Sequence, residues 1–88
     1  MKTVTTESGF TIEIDEEAFD DMEVVDMLAE VDDNLLIVPK LLLKTLGKDG
    51  KKALYDFVRN EKGRVPSKAA MTLFEEVMRM AGEETKNS

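Results

Sequence analysis

Eighty-eight residues with no cysteine and no histidine predict one domain with a modest core, and they exclude disulfide frameworks, thiolate metal sites and thiol nucleophiles. The formal charge of −7 is uneven: residues 1–34 hold twelve acids and one base, residues 35–68 nine bases and three acids, and residues 69–88 four acids and two bases. So acidic a chain repels nucleic acid and anionic lipid at long range, and its internal polarity predicts that the acidic first helix and the basic middle lie within reach of each other.

Thr3-Val4-Thr5-Thr6 and Phe10-Thr11-Ile12-Glu13-Ile14 are β-rich, and Glu7-Ser8-Gly9 between them has turn chemistry. A hairpin over residues 3–14 is expected, with Phe10, Ile12 and Ile14 on the face that packs against helices. Asp15 then offers an N-cap, and the helical pattern runs over about 16–31. It groups Ala18, Met22, Val25, Leu28 and Ala29 on one side, and Glu16, Asp20, Glu23, Asp26 and Glu30 on the other. Asp32-Asp33-Asn34 breaks it.

A second helix is expected over 35–46, apolar in eight of its twelve positions, with Pro39 in its first turn and Gly47 as its stop. Twelve residues interrupted by Pro39, Lys40 and Lys44 fall short of the ~20 apolar residues that cross a bilayer, so no membrane anchor is expected. Asp49 can cap a third helix over 49–60, with Ala53, Leu54, Phe57 and Val58 inward. Val65-Pro66-Ser67 opens a fourth over 66–81, whose Ala70, Leu73, Phe74, Val77, Met78 and Ala81 recur at helical spacing. Gly82 reads as its stop, and residues 83–88 have the composition of a disordered tail. The expected architecture is therefore mainly α: a single domain over 1–82, four helices with an N-terminal β-hairpin (α+β). Lys2 is followed by Thr-rich polar sequence where a secretory leader would be apolar, so a cytoplasmic location is expected.

The residues offer little to catalysis. Without histidine the usual proton shuttle near neutral pH is missing, and no serine stands in a Gly-x-Ser-x-Gly elbow. Gly47-Lys48-Asp49-Gly50-Lys51 lacks the spacing of a phosphate loop and follows no strand. A calcium loop begun at Asp15 would need oxygen at its fifth position and glycine at its sixth, where Phe19 and Asp20 stand. The acids therefore read as a solvated helix face, with no catalytic, metal or cofactor site expected. The basic run Lys48, Lys51, Lys52, Arg59, Lys62 and Arg64 has only Tyr55 and Phe57 interleaved, and both read as inward-facing, which argues against nucleic acid. Of the methionines, Met22 and Met78 fall on core stripes. Met27, Met71 and Met80 lie off them, where flexible thioethers suit adaptable apolar contacts.

Four segments have a familiar order: Ser8-Gly9-Phe10 with Ile12-Glu13-Ile14-Asp15, the acidic Asp20-Asp21-Met22-Glu23, Leu46-Gly47 before a Lys-rich helix start, and Gly63-Arg64-Val65-Pro66 before a last helix ending Lys86-Asn87-Ser88. In these the chain resembles the tail assembly chaperones of long-tailed bacteriophages, particularly the small forms from phages and prophages of Gram-positive bacteria. The resemblance implies a protein of the host cytoplasm, absent from the finished virion. It implies two partners, the tail tape measure protein and the major tail tube protein, the first kept soluble and the second recruited onto it. Related chaperones are often extended by a ribosomal slip, and Thr85-Lys86-Asn87 can be encoded with the slippery A-AAA-AAC; chance explains the dipeptide equally well, and an AAG codon for Lys86 removes the idea. The rival readings are a small acidic regulator that mimics nucleic acid toward a basic protein, and a metal-dependent hydrolase.

The client surface is expected on the second helix, because eight large apolar side chains on one element exceed what a small bundle needs inside. Part of Leu35, Leu36, Val38, Leu42 and Leu43, with Met71 or Met80, should line an exposed groove. Lys40 and Lys44 should form its rim.

Overall fold

The computed structural model describes residues 2–86, and the side chains of residues 2–81. Strands β1 (Lys2–Thr5) and β2 (Thr11–Ile14) pair antiparallel, with Val4 opposite Ile12 and Lys2 opposite Ile14. Alternation places Val4, Ile12 and Ile14 on one face, and all three are buried together with Phe10. Thr6 closes the turn: its N–H donates to the Phe10 carbonyl at 2.8 Å, and its buried hydroxyl accepts from the Phe10 N–H at 3.1 Å. The hairpin is the one the alternation predicts.

The expected helix over 16–31 is two pieces. Asp15 accepts from the Glu17 N–H at 3.0 Å and starts a 3-10 turn over Glu16–Ala18. Asp21 accepts from the Glu23 N–H at 2.9 Å and starts helix α1 (Met22–Glu30). A carboxylate that caps a backbone N–H favours a helix start over an interior position, so two such aspartates make two starts. The inward face changes with them. Val24 is buried, and Met27, Leu28 and Val31 pack against the core, whereas Met22 is 72% exposed and Val25 and Ala29 also face solvent. Met22, Val25 and Ala29 are thus corrected from core to surface. Glu16, Asp20, Glu23, Asp26 and Glu30 are exposed, as their spacing predicts.

Asn34 caps a 3-10 turn over Leu35–Ile37, and helix α2 follows as Val38–Val58 with Pro39 in its first turn. The helices expected over 35–46 and 49–60 run on as this one element, interrupted at Gly47, where the stop was expected, by non-helical backbone (φ 75°, ψ 176°). The protein therefore has three helices and not four. Asp49, expected as a cap, lies inside α2. Just before the bend, the buried Thr45 hydroxyl donates to the Leu41 carbonyl at 2.9 Å, a back-bond that itself favours bending. Past it, Gly50 lies so close to β2 that a Cβ there would be 2.9 Å from Leu46 Cβ and 3.3 Å from Ile12 Cδ1. The bend thus lays the second half of α2 on the hairpin. In that half Leu54 is buried and Val58 partly so, but Ala53 is exposed and Phe57 is 45% exposed, its ring 5.1 Å from that of Phe10.

Helix α3 (Ser67–Lys86) passes through Gly82, where a stop was expected, so residues 83–86 of the expected tail are helical, and 87 and 88 lie outside the described residues. Ala70, Leu73, Phe74, Val77 and Ala81 are buried and Met78 packs beside them, as the spacing predicts. The core lies between the apolar hairpin face and α2 and α3, with α1 against the first half of α2.

Candidate functional site

Helix α2 turns its first half in two directions. Leu41 and Leu42 point into the core with no exposed surface, and Val38 is nearly as buried. Leu35, Leu36 and Leu43 are 58%, 87% and 49% exposed, so the eight apolar side chains of this stretch are not all inside. Leu35, Val38 and Leu42 line a groove of ≈ 220 Å³ whose far wall is Val65 and Met71 and whose end is Tyr55. Leu36, Lys40 and Leu43, at spacings of four and three, form the exposed stripe beside it.

Of the residues expected to bind a partner, Leu35 and Met71 line the groove with accessible surface, whereas Val38 and Leu42 are its buried floor and are corrected from client surface to core. Leu36, Lys40 and Leu43 are exposed on the same stretch of chain. Met80 is part-buried against the core and takes no part in the groove. Lys44 is corrected from its expected rim role: its Nζ is 3.6 Å from Asp21 Oδ2 and 3.8 Å from Glu23 Oε1, at the start of α1. These pairs join the acidic segment to the basic one, as the charge pattern predicts. Half-exposed pairs of this kind are worth ~0–1 kcal/mol each.

A second hollow of ≈ 170 Å³ lies between α1, α2 and α3, lined by Leu28, Val31, Leu41, Phe74 and Met78, with Asp32 and Glu75 at its edge. Val38 and Met71 wall both hollows, so the two adjoin as one apolar trough.

The basic run separates into engaged and unengaged groups. Asp56 accepts from Lys52 Nζ at 2.8 Å and from Arg59 Nη2 at 3.1 Å, and hydrogen bonding to Lys52, then Arg59, holds its carboxyl below the ordinary range. Lys51 Nζ stands 5.5 Å from the centre of the Tyr55 ring. Arg64 is presented by a loop that Asn60 organises. The Asn60 Oδ1 accepts from the N–H groups of Lys62 and Arg64 at 3.0 and 3.1 Å, and its N–H donates to the Arg64 carbonyl at 2.9 Å. Asn60, Tyr55 and Val65 were not expected at a site. The Asn-Glu-Lys-Gly run carried the turn signal for Asn60, but nothing local tells that residues 55 and 65 face residue 35.

Among the described residues no three His, Cys, Asp or Glu side chains gather as a metal site, and no helix is long and apolar enough to cross a membrane. Chemically the two hollows offer hydrocarbon and thioether surface, the hydroxyl-bearing Tyr55 and Ser67, and the carboxylates of Asp32 and Glu75 in the second, with Lys51 against the Tyr55 ring of the first. Comparison with protein-family models, with curated proteins and with solved structures finds no match.

Proposed function

We propose that this protein is a binding module without catalysis, and that it acts as a tail assembly chaperone whose client is the tape measure protein. The observation that supports the reading is the open apolar groove lined by Leu35, Val65 and Met71, with Leu36 next to Leu35 in the chain and exposed over 87% of its surface. A long apolar helical client aggregates unless its stripe is covered, and a groove between helices is a common receptor for an amphipathic helix. The acidic first segment keeps the loaded chaperone in solution by net charge, in the host cytoplasm. A covered client is then available to receive tail tube subunits, and no metal or cofactor is needed.

The deciding experiment is co-expression with fragments of the tape measure protein and co-purification. Leu36→Asp and Leu43→Asp should leave the unfolding free energy within ~0.5 kcal/mol of the parent's, since exposed positions tolerate such changes, while the client is lost. Client retained by both variants would assign these leucines no binding role. The exposed acids Asp20, Asp26 and Glu30 on the other side favour the rival, mimicry of nucleic acid. That reading requires capture of a basic DNA-binding protein, abolished by Asp26→Lys with Glu30→Lys and unaffected by Leu36→Asp.

A further inference from the structure

The trough has opposite charges at its two ends. At the Tyr55 end stands Lys51, against the ring; Arg64 and Lys68 are exposed and adjoin the lining residues Val65 and Ser67 in the chain. At the other end Asp32 and Glu75 are themselves lining residues. None of these five forms an ion pair among the described residues. The hollows between them, ≈ 220 and ≈ 170 Å³, are smaller than the ~300–1,000 Å³ of small-molecule sites. Each is sized for one large side chain. Two adjoining holes that share Val38 and Met71 in their walls can each take one apolar anchor from a single helix face.

From this we infer that the trough receives a helical segment of another protein with two large apolar anchors, Asp or Glu flanking one and Lys or Arg flanking the other. The inference rests on the client-binding reading above and adds the client's charge order. A segment acidic throughout would meet Asp32 and Glu75 with like charge; one basic throughout would meet Lys51, Arg64 and Lys68 so. Helix α1 of a second copy, which carries Glu23, Asp26 and Glu30 and no base, would satisfy only one end.

Three peptides with identical anchors test this by fluorescence anisotropy on the intact protein: one with acidic flanks at one anchor and basic flanks at the other, one all-acidic, one all-basic. The mixed peptide should bind roughly fivefold more tightly than either uniform one, and the gap should close at ~1 M salt, where the Debye length is ~3 Å. Arg64→Glu with Lys68→Glu should transfer the preference to the all-basic peptide, and Asp32→Lys with Glu75→Lys to the all-acidic one. Equal binding of the three overturns the charge order and leaves the client-binding reading standing. If none binds, the trough is not a client site and both fall. Sedimentation of the protein alone supplies the last outcome: a dimer that Leu35→Asp dissolves would show the trough filled by a second copy, and would overturn the inference.

Discussion

Asp56 holds Lys52 and Arg59 on one exposed surface of α2, and both bases act on its carboxyl in the same direction. Its folded pKa lies below the ordinary 3.8, so the ionised form is favoured by folding. That contribution is present above the ordinary value and is lost as pH falls through the depressed one. Parent protein should therefore lose stability faster below ~pH 4 than the Asp56→Asn variant does, in urea melts compared along a pH series. Equal slopes would show that solvent screens the pair completely. The same comparison bears on the trough, because Lys52 and Arg59 occupied by Asp56 leave Lys51, Arg64 and Lys68 as the bases at its Tyr55 end.

Helix α2 owes its shape to two glycines used differently. At Gly47 the backbone takes φ 75° with extended ψ, a region that L side chains enter only under strain. At Gly50 the requirement is space, with Leu46 and Ile12 within contact of the absent Cβ. Gly47→Ala should cost about 1–3 kcal/mol in chemical denaturation, since nothing crowds its Cβ and only the backbone is strained. A loss well under that range would mean that the bend relaxes into straight helix. The bend also decides where Leu54 and Tyr55 stand, so the variant's affinity for a client helix should fall along with its stability.

The molecule as a whole is a charge-polarised body around a small apolar core. Its acids outnumber its bases by seven and no described cluster gathers three ligand-type side chains. Calcium, magnesium or zinc in modest excess should leave the melting temperature nearly unchanged. A rise of many degrees would show a bound ion, since a ligand at 100 times its Kd adds ~2.7 kcal/mol.

Local signals were sufficient wherever one period or one cap decided the outcome. The Phe10–Ile12–Ile14 alternation, the Ala70 to Ala81 stripe of α3, Pro39 in a first turn and the absence of histidine and cysteine were all legible in the chain itself. They depend on spacing and on side-chain chemistry within a few residues. Gly47 is legible as a break in the helical pattern, and the backbone there is non-helical; how the two halves lie against the hairpin involves Gly50 beside Ile12, far away in the chain. The phase of α1 is not legible in the sequence because two aspartates can each cap, and packing in the core selects Val24 over Met22 and Val25. The excess of leucine in residues 35–43 announced a surface, and its facing wall did not follow from it. Val65 and Met71 meet Leu35 because a bent helix and an Asn60-ordered loop return the chain, and such non-local approach is decided by burial of the whole core.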